Sequence, residues 1–160
     1  QTVCYTIKGT LMSFEINNPF NVNISHVKLI GSGKIFLGQN CEIRYGTVIE
    51  ANDGIITIGD FSVIGYQSFV QATGELVIGK RSLLGPQCSY ICSSHKKDLH
   101  SGLIRGKIEI DDHVWIGSNC TINYDISIGR NAIIGANSFV NKNVPDQQTW
   151  AGSPIKYIRG

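Results

Sequence analysis

The sequence contains no Cys-x-x-Cys pair, and its five cysteines are an odd count. That excludes zinc-ribbon and thioredoxin-type chemistry. It also lacks any apolar run long enough to form a transmembrane helix, and no segment reads as a signal peptide. A cytoplasmic protein without membrane insertion is therefore expected. Excess charge is missing too: 14 basic residues stand against 12 acidic ones, for a net charge of +2. The basic residues are scattered and not interleaved with aromatics, so no nucleic-acid partner is expected. A length of 160 residues suits one domain over 1–160 with a respectable core. The start at Gln1 leaves room for an upstream segment.

What the sequence does have is a beat. Ile110, Ile116, Ile122, Ile128, Ile134 and Val140 stand six residues apart without a slip, and Ile116, Ile128 and Ile134 are each followed by Gly. Upstream the same spacing links Leu37, Ile43 and Ile49, then Ile58, Ile64 and Val70, then Ile78, Leu84 and Tyr90. Small insertions separate these triplets, at Asn52-Asp53-Gly54 and around Gly74-Glu75. A period of six fits neither an α-helix nor an alternating strand; it predicts short strands wound into a coil.

A second column runs in the same phase, four residues after each anchor: Cys41, Thr47, Ser62, Ser68, Ser82, Cys88, Val114, Cys120, Ala132 and Ser138. Small residues there suit inward positions at tight corners, with the cysteines serving as small apolar fillers. Asp53, Gly74 and Ile126 fit this column less well. Three hexads make one triangular coil of eighteen residues, and stacked coils give three parallel sheets around an apolar core. The expected fold is an all-β parallel β-helix, with repeats over about 22–145 and a short C-terminal tail at 146–160. Spacing alone leaves its handedness open.

Between Tyr90 and Ile110 the beat fails, and a loop spanning 91–109 is expected to project from the coil. Such an excursion is where a solenoid carries function. This one holds two of the four histidines, His95 and His100. His26 lies near the start of the repeats, and His113 sits at an exposed corner beside Asp111 and Asp112. Cys92 precedes the loop with no base fixed beside it by spacing.

The run Leu84-Gly85-Pro86 through Ser94-His95, the stretch Ile110-Asp111-Asp112-His113-Val114-Trp115-Ile116-Gly117-Ser118, and the tail Ala151-Gly152-Ser153-Pro154 together resemble the hexapeptide-repeat acyltransferases. Ile134-Gly135-Ala136-Asn137-Ser138 and Asn141-Lys142-Asn143-Val144-Pro145 add to the likeness, which covers nearly the whole chain from about Val22. The likeness is strongest to the sugar O-acetyltransferase branch, which includes galactoside and maltose acetyltransferases and enzymes decorating bacterial surface polysaccharides. It implies a left-handed β-helix, against the usual rule for parallel crossovers. It further implies a homotrimer with active sites between neighbouring subunits, and acetyl-CoA as donor. His95 matches the family's catalytic histidine, the Ser118 backbone amide its oxyanion donor, and Trp115 the tryptophan lining the cleft. Ala136, Asn141 and Lys142 match positions along the pantetheine and nucleotide track, and Lys156 and Arg159 match basic residues near the CoA phosphates. The galactoside enzymes carry an acidic pair before the histidine loop; here the stretch from Gln71 has only Glu75. Glu75, Asp98, His100 and Arg105 are the candidate acceptor contacts.

The chemistry can be argued separately. A thioester is already activated, whereas a sugar hydroxyl is a poor nucleophile near neutral pH. What the reaction needs is a positioned base of histidine type and a fixed N–H at the growing oxyanion; it needs no metal. Three other readings compete with sugar O-acetyl transfer. One is N-acetyl transfer to an amino-sugar nucleotide. Another is a γ-carbonic-anhydrase-like zinc site, for which His95 and His100 have suitable spacing. The third is a non-catalytic β-helix that only binds.

Overall fold

A computed structural model describes residues 14–17, 22–24 and 26–160; Gln1 and Cys4, the first of the five cysteines, lie outside them. The chain winds a left-handed parallel β-helix of about six turns. On the first face of the triangle, Ile43, Ile64, Leu84, Ile116, Ile134 and Trp150 are ladder partners from coil to coil. On the second, Ile49, Val70, Tyr90, Ile122 and Val140 follow one another. On the third, Leu37, Ile58, Ile78, Ile110 and Ile128 do the same. Every anchor named by the six-residue beat is at most 5% exposed. Each buried aliphatic side chain contributes about 1.5–3 kcal/mol by leaving water.

All ten small residues of the second column are buried as well. Hydroxyls are tolerated there because corner carbonyls accept their hydrogen bonds: Ser62 Oγ donates to Gly79 O (2.6 Å), Ser82 Oγ to Asp111 O (2.8 Å) and Ser138 Oγ to Gly135 O (2.6 Å). Just before these residues the backbone enters the left-handed region, at Asn40, Phe61, Arg81, His113 and Asn131 (φ 53 to 60°). That conformation is costly for a residue with a Cβ. It recurs because it aims each amide at a carbonyl of the coil below: Phe61 N at Gln39 O (2.9 Å), Arg81 N at Asp60 O (2.9 Å) and His113 N at Lys80 O (2.9 Å).

The three faces hydrogen-bond as two parallel sheets rather than three. The first face is a seven-stranded sheet, while the second and third belong to one ten-stranded sheet. They are joined because the strands Lys28–Leu37 and Val48–Ile58 run unbroken around a corner. The insertion at Asn52-Asp53-Gly54 is therefore absorbed as a bulge. The pairing register shifts between Ser32 and Gly33, and Asp53 takes φ 58° while its carboxylate accepts from Ser32 Oγ (2.9 Å).

The excursion after Tyr90 is also narrower and more regular than 91–109. Ile91 still pairs with Gln71, and Lys107–Ile110 pairs in register with Glu75–Ile78. At the far end, Thr149–Ala151 adds to the first face in parallel, then Lys156–Arg159 turns back antiparallel along it.

Candidate active site

The projecting segment is a β-hairpin. Ser93–His95 pairs antiparallel with Leu103–Arg105, placing His95 opposite Leu103. Its tip is a short 3-10 turn, Leu99–Ser101, for which Asp98 supplies the cap: the Asp98 carboxylate accepts from His100 N (3.1 Å), and Ser101 Oγ donates to Asp98 O (2.7 Å). At the base, Ser93 is buried and bonded to the Gln71 amide, whose Nε2 also donates to Thr73 Oγ1 (2.9 Å). The Arg105 guanidinium donates to the carbonyls of Asn52 (3.1 Å) and Thr73 (2.9 Å). Asp98 and Arg105 thus spend these groups on holding the hairpin. Beyond its base the hairpin stands clear of the coil: His95 is exposed, and Leu103 and Ile104 are 41% and 36% exposed.

Glu75 lies beside that base, with its carboxylate 3.9 Å from Lys107 Nζ. The two help line a shallow groove of about 390 Å³ together with Thr73, Arg105 and Asp125. Thr73, Lys107 and Asp125 carry no motif and were not legible in the sequence as site residues. Register sets Lys107 against Glu75, and the groove brings Thr73 and Asp125 beside them.

Trp115 points outward from the first face and is 55% exposed. Its ladder neighbours are Leu83 below and Ile133 above, and the same row continues through Thr149 to Arg159. Ser118 stands at the corner where the first face gives way to the second. Its carbonyl accepts from Asn137 N (3.0 Å), while among the described residues its own amide has no acceptor. The equivalent corner position is Pro86 one coil below and Ala136 one coil above. Lys156 is exposed on the antiparallel strand of the first face. Asn141 and Lys142 are exposed and follow Phe139–Val140, at the far end of the second face.

The sequence-derived residues therefore fall into two groups on different corners. Ser118 and Ala136, with Trp115, Lys156 and Arg159, lie on the first face and its corner with the second. His95, His100, Glu75, Asn141 and Lys142 lie toward the corner between the second and third faces. A hexad of extended chain, at most about 20 Å, separates the two corners. Within one copy, the His95 hairpin and the Ser118 amide therefore stand on different corners, with the second face between them.

Cys41, Cys88 and Cys92 offer no nucleophile, and Cys120, whose thiol is lowered by its hydrogen bond with Cys88, is buried in the core. Burial pushes the Cys92 thiol up to about 12 and the Cys41 thiol up to about 11, and a thiol is reactive as its thiolate. The Cys88 thiol is also raised, by its hydrogen bond with Cys120 and then by burial. Tyr90 is fully buried beside these two thiols, and burial lifts its phenol well above the ordinary range. His26 is exposed, with its ring centroid 5.3 Å from that of Tyr45, and His113 occupies its exposed corner. Among the described residues, no three side chains of His, Cys, Asp or Glu converge as a metal site, and no helix is long and apolar enough to cross a membrane.

This architecture defines a class, and comparison with known proteins supplies the family. Residues 107–142 match the family described as bacterial transferase hexapeptide (six repeats). The hexapeptide-repeat-containing acetyltransferase of Vibrio cholerae superposes with a TM-score of 0.71 at 30% identity, covering 77% of this chain and 72% of that one. The chain belongs to the hexapeptide-repeat transferase family. Escherichia coli galactoside O-acetyltransferase is 31% identical over 78% of this chain and 53% of its own length. A putative colanic acid biosynthesis acetyltransferase of the same organism is 29% identical over 77% of this chain and 68% of its own. The chain spans about half the length of several curated relatives it matches.

Proposed function

We propose that the chain is a cytoplasmic acetyl-CoA-dependent O-acetyltransferase. It moves an acetyl group to a sugar hydroxyl, of a bacterial surface polysaccharide or its precursor, in a homotrimer with three sites between neighbouring copies. The observation that carries this reading is the division of the site between two corners. One corner presents the exposed hairpin histidine His95, flanked by the uncovered Leu103 and Ile104. The other presents the Ser118 amide, which has no acceptor among the described residues, beside the exposed Trp115. Packing one copy's hairpin against the next copy's Ser118 corner buries the apolar residues and joins the two halves. The names of the galactoside and colanic acid relatives support a sugar acceptor. A Vibrio cholerae relative solved with acetyl coenzyme A, 29% identical with a TM-score of 0.55, supports the donor.

In this mechanism the acceptor hydroxyl attacks the thioester carbon while His95 removes its proton. The carbonyl oxygen becomes an oxyanion and accepts the Ser118 N–H. Collapse of the tetrahedral adduct breaks the carbon–sulfur bond, and the leaving CoA sulfur takes the proton back from the imidazolium. Trp115 lines the cleft. Ala136 of one copy, with Asn141 and Lys142 of its neighbour, follows the pantetheine and nucleotide, Lys156 and Arg159 meet the phosphates, and Glu75 and His100 reach the acceptor. The groups of Asp98 and Arg105 serve by keeping the hairpin in place.

The test is an acceptor screen that follows CoA release from acetyl-CoA with simple glycosides, amino sugars and polysaccharide precursors. His95→Ala is expected to lower transfer by roughly a hundredfold or more, with CoA affinity little changed. Near-normal turnover in that variant would sink the assignment of His95. An unchanged melting temperature on adding acetyl-CoA would count against a CoA enzyme altogether.

A further inference from the structure

Ser118 is one step in a column that climbs the corner between the first and second faces. Ile43, Ile64, Leu84, Ile116 and Ile134 are successive ladder partners, so the residues two places on occupy one corner: Tyr45, Tyr66, Pro86, Ser118 and Ala136. Backbone hydrogen bonds tie the column together, from Gln67 N to Tyr45 O (3.0 Å), Gln87 N to Tyr66 O (2.8 Å) and Asn119 N to Pro86 O (2.9 Å). Its lower end is aromatic and uncovered, with Tyr45 59% and Tyr66 50% exposed.

Both rings are braced. The Arg44 guanidinium lies 5.2 Å from the centroid of the Tyr66 ring and is itself held by Glu42 (2.9 Å), while the His26 ring packs at 5.3 Å against Tyr45. Beside the tyrosines runs a ridge of exposed side-chain amides, in which Gln87 Nε2 lies 3.4 Å from Gln67 Oε1. Flat amphipathic rings next to amide donors and acceptors match a pyranose, which has an apolar C–H face and a rim of hydroxyls.

Position on the edge says which sugars. If CoA runs from Ser118 past Ala136 toward Lys156 and Arg159, the coils on the other side of Ser118 are left to the acceptor. Tyr66 is two coils away and Tyr45 three, about 10 and 14 Å at the inter-strand spacing. That is too far for the ring being acetylated. We propose, resting on the acetyltransfer reading above, that Tyr45 and Tyr66 form a stacking ledge for distal rings of the acceptor. The acceptor is thus an oligosaccharide or polysaccharide, not a free monosaccharide.

The experiment measures binding and transfer separately in the intact protein. Oligosaccharide fragments of bacterial surface polysaccharides and methyl glycosides of their constituent sugars are the probes, followed by saturation-transfer NMR and by CoA release. Tyr45→Ala and Tyr66→Ala should each weaken oligosaccharide binding and raise its KM by up to about tenfold, the scale of one aromatic contact. KM for the methyl glycosides and CoA affinity should stay within about twofold of the parent. Tyr66→Phe, which keeps the ring, should behave like the parent; Tyr66→Leu, which keeps bulk but not the flat face, should behave like Tyr66→Ala. The ledge is overturned if no oligosaccharide binds, if the alanine variants bind fragments normally, or if their effect comes from a changed oligomeric state in light scattering. Fragments that bind through the tyrosines but never receive an acetyl group would leave the ledge standing and overturn the transferase reading instead.

Discussion

Arg105 donates to the Thr73 carbonyl over 2.9 Å, tying the strand that returns from the hairpin to the corner of the coil beneath it. The same nitrogen reaches Asn52 O at 3.1 Å, so one guanidinium fastens the hairpin to two coils. Bonds from a charged donor contribute more than neutral ones, about 1.5–3 kcal/mol each. Arg105→Ala should therefore loosen residues 93–105 while the coils stay folded. In hydrogen exchange, protection should fall in the hairpin and persist at Ile116 and Ile134. Acetyl transfer should fall about tenfold, because a displaced base loses its alignment. Equal loss of protection throughout the coil would show that Arg105 supports the fold at large.

Ser118→Pro isolates one N–H. Pro86 already occupies the matching corner one coil below, so the backbone there accommodates the ring. The substitution deletes the proposed oxyanion donor and nothing else of the backbone pattern, since the Ser118 amide has no acceptor among the described residues. Turnover should fall by roughly 10²–10³ with a small change in melting temperature. Co-expression with His95→Ala should restore part of the activity, since mixed trimers regain some intact sites. Two inactive proteins yielding an inactive mixture would overturn a site shared between copies.

Ile64→Ala tests the ladder. Ile64 is fully buried between Ile43 and Leu84, and flat coils have little freedom to collapse into the space. The expected cost is about 2–5 kcal/mol, read as a lower midpoint in denaturant with an unchanged slope. A cost under about 1 kcal/mol, less than an ordinary core truncation, would mean that coils shift to close the gap.

Two buried thiols, Cys41 and Cys92, give the protein an alkaline limit. Cys41 and Cys92 ionise near 11 and 12 when folded, against 9.0 for a free thiol. Between these values the unfolded chain releases protons that the folded chain keeps, so stability is full below about pH 9 and declines as pH rises through the folded values. Iodoacetamide at pH 8 should leave both unmodified in the native protein and label both in denaturant. Rapid native labelling of Cys92, followed by mass spectrometry, would contradict its burial.

The scaffold was legible because a six-residue period leaves a mark at every turn: each anchor from Leu37 to Val140 occupies the same environment as the one above it. The bulge at Asp53 was not legible, because the same three residues could have ended a strand or kinked it, and only pairing against Ser32 and Gly33 settles which. The histidine loop was visible as a failure of the beat. Its hairpin form was hidden, since Ser93–His95 and Leu103–Arg105 show no alternation of apolar and polar residues. Asp98 and Arg105 are legible as charges near His95; their backbone partners, His100 N and Thr73 O, leave no trace in residue identity. Tyr45 and Tyr66 leave no mark in the beat, because it ranks inward positions and both point out.

The antiparallel return of Lys156–Arg159 bears on solubility. Stacked parallel strands offer an unsatisfied edge at each end, onto which another molecule's coil could add without limit. On the first face that edge is occupied by a strand running the wrong way to template a further parallel coil, and its exposed flank carries Lys156 and Arg159. On this face the antiparallel strand thus keeps a repetitive fold from adding further parallel coils.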